Sequence, residues 1–462
     1  MFTTDPAVLD EVIKAYDVRG TVPDQINAEV AYAIGVGFAR FCRDAGGAGS
    51  ERILVGRDMR SSGPELIEAF TRGVTEQGLD VTDLGLASTD LVYYASGSLD
   101  APGVIFTASH NPAQYNGAKF CLSGARAVGI DTGLDQVKAT AVDVLRGKAP
   151  LASTRVGSRS SVDLLDKFAD HVVSFVDVAA LRPLRVVADT ANGMGGLVVP
   201  AVFERLPQMS LEVMYGELDG TFPNHPADPL QVANQRDLQA RVVSGGFDVG
   251  LAFDGDADRV FVVDENGRGL SGSTTTALLA AGVLRTNPGA TILHNLICSR
   301  AVPEVIREHG GVPVRTKVGH SFIKQRMAET GAAFGGEHSA HYYFQRNYRA
   351  DSGLIATMLV LNEMSLANSD LSVVRKPFER YSASGEINTQ VVDAAAVIER
   401  VAAEFAGFEQ DRLDGLTVDC GPWWFNLRPS NTEPLLRLNL EAPDRDQCDQ
   451  RVAELLALVT SL

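Results

Sequence analysis

The sequence predicts an α/β protein: three related mixed α/β domains followed by a smaller C-terminal α+β domain. Three observations carry this. A chain of 462 residues is too long for one core, because domains usually run about 100–150 residues. A strand–loop–helix–strand pattern occurs three times before residue 375. Each copy is followed by a further apolar strand that ends in a polar or charged loop.

Tyr16-Asp17-Val18-Arg19-Gly20 reads as a polar turn ahead of an apolar helical pattern over 27–45. The first copy then runs through a strand at 52–56, a loop at 57–64, a helix over 65–77 and a strand at 79–84. Its extra strand, Val104-Ile105-Phe106-Thr107, leads into Ala108-Ser109-His110-Asn111-Pro112. The second copy has a strand at 184–189, the loop TANGMGG, a helix over 197–205 and a strand at 211–214. Its extra strand, 248–253, leads into Asp254-Gly255-Asp256-Ala257-Asp258-Arg259. The third has a strand at 290–293, a turn at Cys298-Ser299-Arg300, a helix over 302–308 and a strand at 312–316. Its extra strand, 332–334, leads into Gly335-Gly336-Glu337-His338-Ser339-Ala340-His341. Gly-, Ser- and Pro-rich stretches at 147–161 and 264–273 read as linkers. The last region carries strands at 385–391, 415–419 and 435–440, and helices over 394–405 and 445–460. The expected domains are therefore 1–152, 153–264, 265–374 and 375–462.

Composition narrows the function. Hydrophobic residues make up 45% and charged residues 21%, as in ordinary water-soluble chains. A net charge of −17 argues against a nucleic-acid partner, although a local basic pocket still suits a small anion. Cys42, Cys121, Cys298, Cys420 and Cys448 are scattered and lack CxxC spacing, which fits reduced thiols better than a disulfide framework or a zinc site. The N-terminal stretch has no signal-peptide core, and the most apolar run, 276–284, is too short to span a bilayer. The expectation is a cytoplasmic protein, monomeric or homodimeric, with no membrane partner.

The loops carry the chemistry. Ser109 lies at a strand end, where α/β proteins place reacting groups, and is the candidate nucleophile; a polar turn is the plain alternative. Asp254, Asp256 and Asp258 alternate with small residues between apolar strands, a hard-oxygen cluster suited to Mg²⁺. An EF-hand is excluded by Arg259 at the sixth position, where that loop needs glycine. The same D-x-D also resembles the nucleophile loop of haloacid-dehalogenase-type phosphatases, which would leave Ser109 unexplained. Arg428-Pro429-Ser430-Asn431-Thr432 offers a guanidinium, hydroxyls, an amide and backbone N–H groups to a phosphate. Glu337, Ser339 and His341 alternate and, if extended, share one face suited to sugar hydroxyls. Gly193-Met194-Gly195-Gly196 lacks the spacing of a dinucleotide site and reads as a tight turn.

Taken in order, TASHNP, DGDADR, GEHSAH and RPSNTEP resemble the α-D-phosphohexomutases over nearly the whole chain, and the GEHSAHYYF loop is most similar to the bacterial phosphomannomutase/phosphoglucomutase branch. The resemblance implies a heart-shaped protein with a central active-site cleft and a small phosphosugar substrate. It implies interconversion of mannose 6-phosphate and mannose 1-phosphate, with glucose phosphates as further substrates, through a hexose 1,6-bisphosphate that also activates the enzyme. It assigns phosphorylation to Ser109, and Mg²⁺ to Asp254, Asp256, Asp258 and a phosphoserine oxygen. Arg259 stands near the phosphate or sugar. Glu337 and Ser339 grip sugar hydroxyls. Arg428, Ser430, Asn431 and Thr432 hold the non-reacting phosphate. Arg19, Lys119, His320 and His341 match active-site positions, with Lys119 and His341 as candidates for proton transfer. Related enzymes often place a lysine in the third domain's first turn; here that stretch is Asn295-Leu296-Ile297-Cys298, so a basic contact is lost or replaced. A Mg²⁺-dependent sugar-phosphate phosphatase, a glucosamine-phosphate mutase and a silent sugar-phosphate-binding protein are the alternatives.

Overall fold

The computed structural model describes residues 2–44, 51–148, 153, 155–429 and 435–460, with His320 as backbone only. Its strands form four sheets. Three of them share one plan. Asp80–Leu86, Arg52–Arg57 and Gly103–Phe106 run parallel, and Tyr115–Leu122 closes the set antiparallel to the last of these. Ser210–Met214, Arg185–Asp189 and Val249–Phe253 repeat that order, with Val260–Asp264 antiparallel beside them. So do Val312–Thr316, Thr291–Asn295 and Phe334–Gly336, closed by Tyr342–Phe344.

The central strands are continuous apolar runs because helices cover both faces; Gly103–Phe106 and Val249–Phe253 are buried at every position. Serines start the helices that follow key loops. Ser88, Ser271 and Ser352 each accept a backbone N–H from the first turn of the helices Thr89–Ser98, Gly272–Thr286 and Gly353–Ala367.

The first sheet is extended at both edges. Val18–Thr21 pairs with Tyr115–Leu122, which puts Arg19 opposite Gly117, while Lys119 faces Ile105 across the next pair. Arg159–Ser161 pairs with Asp80–Leu86, so the first sheet takes in residues beyond the expected boundary at 152. The stretch 264–273, expected to link the second and third domains, is an ordered turn. Asp264 Oδ1 accepts the N–H groups of Asn266 and Arg268, Leu270 N–H returns to Val262 O, and a hairpin turn results.

The fourth sheet is wholly antiparallel: Ser382–Gln390, Leu435–Ala442, Trp424–Pro429, Leu416–Asp419 and Glu409–Asp411. It has its own core around Val401, Phe425, Leu438 and Val459. The second and third sheets share a core that includes Val187, Leu251, Ile292 and Leu361, whereas Phe38, Phe70 and Phe120 belong to a separate core in the first domain. No helix among the described residues is long and apolar enough to cross a membrane.

Candidate active site

The turn after Gly103–Phe106 holds Ser109 in a left-handed conformation, φ +50°, which non-glycine residues seldom adopt. Three contacts hold it there. Ser109 N–H donates to Thr107 Oγ1 at 2.9 Å. Ser109 O accepts from the Arg60 guanidinium at 2.9 Å. Gly255 of the acidic loop packs against the same carbonyl so closely that a Cβ there would lie 2.4 Å from it. Arg60 also donates to the carbonyls of Asn111, Pro112 and Tyr115 at 2.7, 2.8 and 3.0 Å, and pairs with buried Asp58 at 3.1 Å. Sequence reasoning missed this clamp, because its partners are backbone carbonyls that leave no residue-type signature.

The Ser109 hydroxyl donates to Asp254 Oδ2 at 2.9 Å and accepts from Arg259 at 3.1 Å. Arg259 also pairs with Asp254 at 2.7 Å and donates to His110 Nδ1. Burial and the Arg259 cation hold His110 well below the usual imidazole range, so its ring is a neutral acceptor.

Asp254, Asp256 and Asp258 are almost wholly buried. Lys119 Nζ lies 2.7 Å from both Asp256 Oδ2 and Asp258 Oδ2, and Thr89 donates to Asp256 Oδ2 at 2.6 Å. Burial, opposed by Arg259 and reinforced by Asp256 and Asp258, pushes the Asp254 carboxyl up to about 7. Burial alone would also raise Asp256, but the Lys119 ammonium overrides it and holds that carboxyl below its usual range. Lys119, despite burial, is pushed above the usual ammonium range by Asp256 and Asp258. Its ammonium is held between the two carboxylates.

This donor set fits a hard divalent cation. One oxygen from each of the three carboxylates lies within 4.8 Å of the others, while the buried Asp256 Oδ1 and Asp258 Oδ1 accept no hydrogen bond.

The third loop is a tight turn, so the condition under which Glu337, Ser339 and His341 would share one strand face is not met. Glu337 N–H bonds to His341 O at 3.0 Å, Ala340 N–H returns to Glu337 O at 3.1 Å, and Ala340 has φ +64°. The tight turn sends the side chains to different partners. Glu337 is buried against Asn295, Gly319 and Tyr343. His341 Nδ1 lies 2.9 Å from Asp351 Oδ2 and 3.9 Å from Asp258 Oδ1, joining the third loop to the acidic one. Burial lowers His341, but Asp258 and Asp351 more than offset it, and its net shift is upward. Ser339 is half-buried on the same turn.

Arg19 donates to Asn111 Oδ1 at 2.7 Å and pairs with Asp17 at 2.6 Å, so it reaches the serine turn. Arg428 pairs with Glu386 at 2.7 Å within the fourth domain. The side chain of His320 and all of Ser430, Asn431 and Thr432 lie outside the described residues.

A second feature missed in the sequence is the start of helix Thr89–Ser98. Thr89 reaches Asp256, and Asp90 accepts from Ser88 and from Ser352 of the third domain, so this one turn contacts all three repeated domains.

Models of the phosphoglucomutase/phosphomannomutase family match all four parts of the chain: domain I over 10–140, domain II over 166–268, domain III over 271–381 and the C-terminal domain over 386–458. The chain belongs to the phosphoglucomutase/phosphomannomutase family. It is similar to a phosphomannomutase of Salmonella montevideo, 38% identical over 97% of this chain and 98% of that one. It is also similar to the phosphohexose mutases of Xanthomonas campestris, at 40% identity over 93% of this chain and 94% of theirs. A solved family structure from Burkholderia thailandensis superposes with a TM-score of 0.87, at 30% identity, over 100% of this chain and 98% of that one. The chain is therefore an enzyme, a phosphohexomutase and thus an isomerase. Within this family member, the serine and acidic turns occupy corresponding hairpins of the first two repeats and meet directly at Ser109–Asp254.

Proposed function

We propose that the enzyme interconverts mannose 6-phosphate and mannose 1-phosphate, and glucose 6- and 1-phosphate as well, through phosphorylated Ser109 and a hexose 1,6-bisphosphate. One observation carries this: a buried serine hydroxyl, presented in a left-handed turn, lies between Arg259 and an acidic triad.

In the forward half, a sugar hydroxyl of the hexose monophosphate attacks phosphorus on Ser109. The new P–O(sugar) bond forms as the P–O(Ser109) bond breaks. The hydroxyl proton passes to His341, which Asp351 orients through Nδ1, and Ser109 Oγ leaves beside the Arg259 guanidinium. Lys119 stays charged and neutralises the acidic loop. A Mg²⁺ ion held by Asp254, Asp256, Asp258 and a phosphoserine oxygen would supply charge neutralisation at the transferring group. Glu337 and Ser339 grip sugar hydroxyls, while Arg259, His320 and Arg19 are assigned to substrate binding. Arg428, Ser430, Asn431 and Thr432 hold the other phosphate. The bisphosphate then turns over, its second phosphoryl returns to Ser109, and the fourth domain acts as a lid. The five cysteines are free and buried, in keeping with a reducing cytoplasm.

The test is phosphorus NMR of the purified protein with Mg²⁺ and a trace of hexose 1,6-bisphosphate, offered mannose 1-phosphate or glucose 1-phosphate separately. A growing 6-phosphate signal is expected, and Ser109→Ala abolishes it. Inorganic phosphate alone, surviving in Ser109→Ala, would make the enzyme a phosphatase that uses the Asp254 loop. Turnover of glucosamine 1-phosphate only would reassign the sugar.

A further inference from the structure

Behind Glu337 lies a small polar network in which every group of one amide is committed. Asn295 ends the strand Thr291–Asn295 and is wholly buried. Its Nδ2 donates to Glu337 Oε1 at 3.2 Å and to His338 Nδ1 at 3.1 Å. Its Oδ1 accepts from the Cys298 thiol at 3.1 Å. Burial, with Arg428 next in weight, holds His338 down at about 3, so its ring is neutral and Nδ1 is free to accept. The thiol, with no charge of its own, fixes which end of the amide faces the carboxylate. Gly319 N–H at 3.1 Å and the Tyr343 hydroxyl at 2.7 Å complete the grip on Glu337. Both Glu337 oxygens are thereby anchored from the protein side, and Oε2, with a single donor, keeps acceptor capacity for a ligand.

We infer that Asn295 is a positioning residue for sugar recognition: with Cys298 orienting its amide, it aims the Glu337 carboxylate at the sugar hydroxyls. This rests on the proposed role of Glu337. A positive side chain here would bind the substrate or Glu337 as a point charge; the amide instead supplies one directed donor and leaves the carboxylate fully charged towards the ligand. One strand end thus serves two residues of the third loop, Glu337 and His338, and makes the tight turn a single rigid unit.

The test compares kcat/KM for mannose 1-phosphate with its 3-deoxy and 4-deoxy analogues in the full-length enzyme. Wild type should prefer the parent sugar by about tenfold or more, because a deleted hydroxyl leaves the remaining acceptor site of a buried carboxylate unfilled. Glu337→Gln should shrink that preference. Asn295→Ala should shrink it too, by about three- to tenfold, the worth of one directed hydrogen bond. Asn295→Leu keeps the size and loses the donor without adding a charge, so it should behave as Asn295→Ala does and guards against a cavity effect. Cys298→Ser, which replaces one donor with another, should keep the wild-type preference. If both Asn295 variants lower kcat/KM equally for parent and deoxy sugars while Glu337→Gln changes the ratio, Asn295 is merely structural and the inference is overturned. If Glu337→Gln leaves the ratio unchanged, the proposed sugar grip fails and the inference falls with it.

Discussion

Replacing Arg60 with methionine should cripple turnover by releasing the serine turn, although Arg60 is only 1% exposed and has no donor left for substrate. The guanidinium donates to four carbonyls of the turn and to Asp58. It is covered by the Phe222 ring of the second domain, 5.1 Å away. Two costs follow from its loss. Asp58, wholly buried and already raised by desolvation against the pull of Arg60, is left unpaired, which costs about 3–5 kcal/mol of stability. Ser109 loses the donor that holds its carbonyl in the left-handed turn, and a displacement near 1 Å at a reacting atom costs roughly 100-fold in kcat. Asp58→Asn in the same chain should recover most of the stability and little of the rate, because it removes the stranded charge without restoring the clamp. Arg60→Lys should fall between, since an ammonium cannot span four carbonyls with a planar fork. The assays are denaturant unfolding and the rate of Ser109 phosphorylation by hexose 1,6-bisphosphate, followed by intact mass. A stable Arg60→Met or a stable double variant that phosphorylates Ser109 at the wild-type rate would refute the reasoning.

Other consequences are open to direct measurement. Chelation should stop turnover and Mg²⁺ should restore it, whereas Lys119→Met, which strands Asp256 and Asp258, should lower stability by about 3–5 kcal/mol and regain part of it on adding Mg²⁺, read by thermal unfolding. Gly117→Ala would place a Cβ 1.9 Å from Val18 O, so it should destabilise the first sheet by about 1–3 kcal/mol and raise KM by displacing Arg19, its partner across the strands. His225 donates to buried Asp189; burial lowers it, but the carboxylate more than offsets this and raises it above 6.5. Its stabilisation is therefore full below pH 6.5 and is lost as pH rises through the raised folded value, and His225→Gln should flatten that part of the denaturation-midpoint profile.

The parts legible in the sequence are those whose physics is local. A buried parallel strand must be apolar throughout, so GVIF and VGLAF announce themselves, and the polar residue that follows must lie at the strand's carboxyl end. The acidic triad was legible for a similar reason, since three carboxylates between apolar strands demand a cation. What was hidden depends on distant backbone. Arg60 looks like any surface arginine until the turn containing Ser109 folds over it. Thr89 and Asp90 look like helix-capping residues, yet they reach Asp256 and Ser352. Alternation misled at Glu337 and His341, because a tight turn and a strand both separate residues by two positions and only Ala340's left-handed backbone distinguishes them.

The repeated hairpin explains why these loops suit the work. A parallel strand must leave its sheet through a long crossover, but an antiparallel neighbour permits a short return. In the first three domains the motif loop sits between the third strand and its antiparallel partner, at Phe106↔Ala118, Phe253↔Val260 and Gly336↔Tyr342. In the fourth, the motif proposed to bind phosphate follows a strand whose Pro429 pairs with Leu436. Short connections restrict the loop backbone, and that restriction lets a left-handed Ser109, three mutually repelling aspartates and a pinned Glu337 persist where longer loops would relax. The charge that the proposed phosphoryl transfer calls on is therefore held by hairpin geometry, and Asp254 is tied to Ser109 across two domains by a single 2.9 Å hydrogen bond.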